Sequence, residues 1–361
     1  MPLIPPEKKK NPSLFIHSDM FKRPAWGSNH PLAIPRQSAM LDLLEMLNWI
    51  GPDNTKVCHA ANRKTLVQFH TPDYVDAFFQ ADTSGKVSQA NRQKYQLGTM
   101  ENPIFPGLFE RAATTVGGSI MAAKLAGEGR IVFHPSGGTH HGRPDRASGF
   151  CYFNDPVFAI LTLLNQGCTR IAYVDVDAHH GDGVQDAFTD EPRVRCISVH
   201  EENRWPHTGT GDDHGNGHAY NFPTPRGVGD LAYADVINAR ILPLVREFAP
   251  EAVVITFGAD ALDADPLSAM GLSNTCLLQT CVQICDLAPA AVVLGGGGYN
   301  PWTTARLWTA FWGLISDQQV QIKLPKPARE MLEGLECDLI DPEDMRPEWT
   351  TTLLDPALGA S

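Results

Sequence analysis

Asp175-Val-Asp-Ala-His-His-Gly-Asp182 follows an apolar run, Ile171-Ala-Tyr-Val174, that reads as a strand, and precedes the helix-like Val184-Gln-Asp-Ala-Phe188. Side chains alternate along a strand, so Asp175, Asp177 and His179 share one side if the extended geometry persists. Two hard oxygen donors and one nitrogen donor suit Zn²⁺ or another first-row divalent metal, and a catalytic site also needs an open position. A solvated acidic turn would use the same residue types. Three Asp and two His within eight residues after a buried strand exceed what solubility requires. In open α/β sheets, sites collect at the C-terminal ends of strands.

Three other strand-like runs end in loops of the same kind. Ile131-Val-Phe-His134 leads to Gly137-Gly-Thr-His-His-Gly142 and on to Ser148-Gly-Phe-Cys-Tyr-Phe-Asn154. Ala252-Val-Val-Ile-Thr-Phe257 leads to Gly258-Ala-Asp-Ala-Leu-Asp-Ala-Asp-Pro266, and Ala291-Val-Val-Leu294 leads to Gly295-Gly-Gly-Gly-Tyr-Asn300. Together they bring a third carboxylate, Asp260, two adjacent imidazoles, His140 and His141, and a phenol, Tyr299, to one sheet edge. Asp260 comes first after its strand and is the candidate third ligand. Asp260, Asp263 and Asp265 lack the alternating positions and terminal Glu of an EF-hand loop. The four glycines before Tyr299 lack the Gly-Lys-Ser/Thr ending of a phosphate loop, and His200-Glu-Glu-Asn-Arg204 lacks the second His of a zinc-protease helix.

The remaining pattern alternates in the same sense. Leu14-Phe-Ile-His17 reads as a first strand and residues 35–50 as a helix, with Met40, Leu43, Leu44, Leu47 and Ile50 at helical spacing. The segment 51–106 is polar, with a helix opening at Pro72, and its lone His59 and His70 carry no assigned role. Helices are expected over 108–126, 155–164, 230–249 (kinked near Pro243) and 275–286, and a strand over 194–199, followed by a Gly-rich loop from 201 to 217. Strands that are apolar throughout are buried on both faces, which means a parallel sheet between helix layers. The expectation is one α/β domain over 1–361, with 1–10 and about 350–361 frayed.

Composition narrows the partners. At 361 residues and 43% hydrophobic content the chain can bury a large core. No apolar run reaches the roughly 18 residues of a membrane span, and nothing at the N-terminus reads as a secretory signal, so a cytoplasmic protein without a membrane partner is expected. The eight cysteines are scattered singly, as reduced thiols would be. A formal charge of -12 argues against nucleic acid and favours cationic partners. Oligomeric state, including a homo-oligomer, is left open.

His140-His141, Gly149-Phe150-Cys-Tyr152, Asp175-x-Asp177-x-His179-His180-Gly-Asp182-Gly, Gly258-Ala-Asp260 with Asp265-Pro266, and Gly295 to Tyr299 stand in the order of a known motif set. Over residues 14–316 the chain resembles the zinc-dependent histone deacetylase family, with its bacterial acetoin-utilisation and acetylpolyamine amidohydrolase relatives. The resemblance implies the single-domain arginase/deacetylase-like fold, with a mostly parallel eight-stranded sheet between helix layers. It also implies amide deacetylation of an acetylated lysine peptide or a small acylated amine. Arginases bind two manganese ions with Asp-x-His-x-Asp sets. The order here is Asp-x-Asp-x-His, so one metal is expected.

Residue by residue, the resemblance implies zinc on Asp177, His179 and Asp260, His141 as general base and then acid, and His140 as its electrostatic companion. Asp175 and Asp182 would orient the two rings, and Tyr299 would donate to the oxyanion. Gly149 and Phe150 would form one tunnel wall. Trp205 fits the opposite wall, but His207-Thr208 departs from the usual Pro-Gly, so His207 is an alternative. A structural K⁺ is implied at the side chains of Asp175 and Ser198 and the carbonyls of Asp177, His179 and Val199. Glu101 stands where relatives place an Asp that fixes the substrate backbone. Leu267 stands where polyamine-selective relatives tend to place a carboxylate. A catalytically dead acetyl-lysine binding module would be expected to have lost a ligand, a histidine or Tyr299.

Overall fold

The computed structural model describes residues 3–23, 26–27 and 30–356. Eight strands form one sheet: β1 (Leu14–His17), β2 (Thr55–Val57), β3 (Ile131–His134), β4 (Ile171–Asp175), β5 (Val194–Glu201), β6 (Ala219–Thr224), β7 (Ala252–Thr256) and β8 (Ala290–Leu294). Their order is β2-β1-β3-β8-β7-β4-β5-β6, and every pairing is parallel. This is the eight-stranded sheet that the resemblance implies, and the sequence pattern marked its six inner strands.

The apolar runs explain the layers. In β8, Ala291 and Val293 face one cluster with Trp308, Trp312 and Leu44, whereas Ala290, Val292 and Leu294 face another with Val157, Ile160 and Ala122. The helices Arg36–Met46, Asn274–Cys285 and Pro301–Ile315 cover the first face; Leu108–Ala126 and Asp155–Asn165 cover the second. Every residue of Pro301–Ile315 is buried, as befits a helix that is apolar nearly all round.

Register positions the site. His134 pairs with Leu294, Leu294 with Thr256, Thr256 with Asp175 and Asp175 with Ser198. Five neighbouring strands therefore reach this level side by side, and the loops that leave β3, β8, β7 and β4 start together.

The structure differs from expectation at the sheet edges and in one helix. The two edge strands escape sequence reading because β2 is three residues in a polar segment and β6 contains Pro223, which a central strand does not tolerate. The expected kinked helix over 230–249 is two α-helical pieces, Asp230–Val236 and Leu242–Phe248, joined by a π-helical turn, Ile237–Ile241. That turn absorbs the amide Pro243 lacks. The described parts of both ends contact the body of the chain. Lys9 Nζ donates to the carbonyls of Cys285 and Ala288, both at 2.8 Å, and Trp349 and Leu353 are buried. All eight cysteines are free thiols, and no helix of the described residues is long and apolar enough to cross a membrane.

His59 is exposed, whereas His70 is a core residue. Its Nε2 accepts from the Asn154 amide at 3.1 Å, and its Nδ1 donates to the Arg143 carbonyl at 2.9 Å. Burial lowers its pKa to about 3, against 6.5 for a free imidazole. Below pH 6.5 the unfolded chain takes up a proton that the folded chain refuses, so stability falls with pH down to about 3. Unfolding free energy at pH 7.5 and 5.5 checks this: His70→Gln is expected to be less stable at pH 7.5, but to lose about 1 kcal/mol less on acidification.

Candidate active site

Beyond Asp175 the chain leaves the ladder: β7 ends at Thr256, opposite Asp175, whereas β5 runs on to Glu201. The shared face expected for Asp175, Asp177 and His179 therefore divides. Asp175 stays with the strand: its Oδ2 accepts from Tyr173 Oη at 2.6 Å and from His140 Nδ1 at 2.7 Å. Asp177 and His179 turn toward the loop after β7. His179 Nδ1 lies 3.2 Å from Asp177 Oδ1 and 2.9 Å from Asp260 Oδ2.

Asp177, His179 and Asp260 offer donor atoms within 4.8 Å of one another, and all three are buried. Backbone amides support the carboxylates: Gly297 N–H donates to Asp177 at 2.6 Å and Ala178 N–H to Asp260 at 3.0 Å. A Cβ on Gly297 would stand 1.9 Å from Asp260 Oδ2, so only glycine admits this approach. Two buried carboxylates this close repel unless a cation or proton lies between them. Burial, then Asp177, pushes Asp260 up to about 6, and the two carboxylates, working against burial, raise His179 to about 10. The donor set fits a divalent cation of the zinc class.

His140 and His141 follow β3, their ring centroids 3.9 Å apart, and each donates from Nδ1 to its own carboxylate. His140 bonds Asp175, and His141 bonds Asp182, both at 2.7 Å. Their proton affinities diverge. Burial would lower both, but Asp175 and Asp177 raise His140 to about 9, while burial and the neighbouring His140 lower His141 to about 3. Asp182 also bonds Arg143, which divides its charge, whereas Asp175 faces no cationic side chain other than His140 among the described residues.

Tyr299 is buried and kept neutral by burial and by the carboxylates of Asp260 and Asp177. The Phe150 ring centroid lies 6.0 Å from that of Tyr299, and the Trp205 ring centroid 4.6 Å from that of His141. A Cβ on Gly149, whose φ is +54°, would stand 2.3 Å from the Trp205 ring. Trp205 thus packs beside His141 and Gly149. His207, the alternative raised by the missing Pro-Gly, is exposed and bonds the Asn203 carbonyl at 3.1 Å.

The other expected residues divide. Ser198 sits beside Asp175 in the ladder, with its Oγ 2.8 Å from His200 Nδ1, and Val199 follows in β5. Glu101 accepts from the Gly149 amide at 2.7 Å, so one carboxylate oxygen holds the backbone just before Phe150. Leu267 is half-buried and gives its amide to Asp265 at 2.9 Å. Asp265 also accepts from the Tyr299 amide at 2.7 Å. Sequence reasoning passed over Arg36, which is half-buried against Trp308 and donates to the carbonyls of Gly296 and Gly298 at 2.9 and 3.0 Å. A lone Arg at a helix start carries no signal. Tyr173 could have been found, two residues before Asp175 on the same strand face.

The histone deacetylase domain model matches residues 30–315. The chain belongs to the histone deacetylase family. It is 30% identical to the acetoin utilization protein AcuC of Bacillus subtilis over 93% of this chain and 91% of that protein. It is 32% identical to histone deacetylase 8 of Xenopus tropicalis over 81% of each chain. The crystal structure of a histone deacetylase homologue from Aquifex aeolicus superposes with a TM-score of 0.91 at 34% identity, covering 96% of this chain and 95% of that one. A histone deacetylase homologue complexed with SAHA gives 0.90 at 34% identity, with the same coverage. Membership in this family supports a hydrolase of the deacetylase class.

Elemental analysis of the purified chain is expected to find about one divalent transition-metal ion per chain, and Asp260→Asn to lose most of it. Two tightly held, adjacent metals would contradict the single-site reading.

Proposed function

We propose that this protein is a zinc-dependent hydrolase that removes an acetyl or related acyl group from a lysine side chain or a similar acylated amine. The observation that carries this reading is a pair of adjacent imidazoles, each on its own carboxylate, beside a buried two-carboxylate, one-imidazole cluster and a buried phenol. Asp177, His179 and Asp260 would hold the zinc ion, which when bound supplies Lewis acidity to the attacking water and the amide carbonyl.

The chain's own residues supply the rest. His141, neutral with Nδ1–H on Asp182, presents a free Nε2 that takes the proton from water and returns it to the leaving amine. His140, held cationic by Asp175, stabilises negative charge as it develops. Tyr299 donates its hydroxyl proton in a hydrogen bond to the oxyanion, an interaction whose loss usually costs about 10²- to 10³-fold in rate. Phe150 and Trp205 line the acyl-amine stem and exclude water. A structural K⁺ at Asp175, Ser198 and the carbonyls of Asp177, His179 and Val199 is supported by Asp175 and Ser198 standing side by side in the sheet. The second oxygen of Glu101 would accept from the substrate backbone.

Substrate class turns on the rim. Leu267 has no charge to meet a second ammonium, which would lose hydration without compensation in a confined tunnel. An acetyl-lysine peptide or an uncharged acylated amide is therefore preferred to an acetylated polyamine.

His141→Ala is expected to abolish nearly all turnover with metal retained, because it removes a proton carrier and no ligand; His140→Ala is expected to be milder. The reverse order would exchange the two roles. Side-by-side kcat/KM values are expected to favour an acetyl-lysine peptide over acetylspermidine or acetylputrescine, with Leu267→Glu shifting selectivity toward the polyamines. A polyamine preference in the unmodified protein would refute the peptide reading. A hydroxamate is expected to inhibit.

A further inference from the structure

Glu201 ends β5 beside the two loops that frame the tunnel mouth, yet its side chain is 4% exposed. Both of its oxygens are engaged from different directions. Oε1 accepts from Arg204 Nη2 at 2.7 Å and Oε2 from Arg204 Nε at 2.9 Å, a two-point pairing with the residue immediately before Trp205. Oε2 also accepts from the Ala269 amide at 2.7 Å, two residues beyond Leu267. The Ala269 segment is in turn fixed to the metal-site loop, because Ser268 Oγ donates to the Asp260 carbonyl at 2.5 Å. One buried carboxylate thus joins the Trp205 wall to the loop that carries Asp260 and Leu267.

Apart from the packing of the Trp205 ring on His141 and Gly149, this turn has few other restraints. Trp205 is 36% exposed. The His207 amide donates to the Arg204 carbonyl at 2.8 Å, but this bond is internal to the same turn. Thr208 and Gly209 are anchored further along, to His180 at 2.8 Å and His200 at 2.9 Å. Between β5 and those anchors, the Arg204 guanidinium is the side chain that ties the turn back to the body of the protein, and Glu201 is its partner. Burial would raise the Glu201 pKa, but Arg204 and the Ala269 amide hold it below the usual glutamate value. The carboxylate is therefore charged and occupied in the folded chain. Without it, a partly buried guanidinium and a backbone amide lose their partner together.

We propose that Glu201 is a positioning residue that sets the width and register of the acyl-amine tunnel by locking the Trp205 wall to the Asp260–Leu267 loop. It touches no reacting atom and acts through Trp205. This inference rests on the deacetylase reading for its kinetic consequence but not for its structural one, so the two are tested separately.

Three variants on the metal-loaded full chain test it: Glu201→Ala, Glu201→Gln, which keeps an acceptor for the Ala269 amide, and Arg204→Ala, which breaks the ion pair alone. The structural readout is acrylamide quenching of tryptophan fluorescence, with Trp205→Phe in each background isolating the Trp205 contribution. Quenching of Trp205 is expected to rise at least about twofold in Glu201→Ala and Arg204→Ala and less in Glu201→Gln, with metal content unchanged. The kinetic readout is the division of effect on an acetyl-lysine peptide. KM is expected to rise about tenfold while kcat changes by less than about threefold, because the wall binds substrate and the proton carriers stay in place. The double variant Glu201→Ala/Arg204→Ala is expected to match either single variant rather than their product. Folded variants with unchanged Trp205 quenching would overturn the proposal. If Glu201→Ala does not fold, Arg204→Ala, whose side chain is 25% exposed, decides by the same readout. Increased quenching in a chain that hydrolyses no acyl amide at all would leave the lock standing and refute the deacetylase reading instead.

Discussion

Two carboxylates held close together out of water are the constraint on which this site depends. Asp177 and Asp260 lie in the loops just past the ends of the neighbouring strands β4 and β7, and an unpaired charge there would cost several kcal/mol. The surrounding chain is built to make the arrangement bearable. Gly297 brings its amide to Asp177 because it has no Cβ, Ala178 gives its amide to Asp260, and His179 stands between the two. Arg36 holds the Gly296–Gly298 backbone by its carbonyls, which keeps those amides aimed. A divalent cation would answer the remaining charge, and with it the same cluster would be a Lewis-acid site.

The pair of imidazoles shows how one motif yields two chemical characters. Both rings are buried and both donate Nδ1–H to a carboxylate, so hydrogen bonding alone does not distinguish them. The difference lies in what else each ring meets. His140 has a second carboxylate, Asp177, near it, whereas His141 stands beside the cationic His140, and its own Asp182 also bonds Arg143. One ring is thereby biased to hold a proton and its neighbour to lack one, which is the asymmetry a base with an electrostatic companion requires.

Much of this was legible in the sequence because it is carried by short-range patterns. Apolar strands without alternation imply parallel pairing, and residues that follow four such strands converge whatever the loops do afterwards. Asp177, His179, Asp260, His140, His141 and Tyr299 were all readable as one set for that reason. What was not legible depends on contacts between distant segments. Arg36, Glu201 and Asp265 are ordinary charged residues until the fold brings a backbone carbonyl or amide to each, and only the turn around Asn203 puts Trp205 beside His141 and leaves His207 exposed. The edge strands escaped for a different reason, since β2 and β6 lack the two-sided burial that marks the strands between them.

The most direct test of the account is the release of acetate from an N-acetyl-lysine peptide by the zinc-reconstituted chain. The expected result is acetate and free lysine amine formed one for one over many turnovers, with none formed by Tyr299→Phe above a level about 10²-fold lower. A chain that binds zinc and the peptide yet releases no acetate would contradict it.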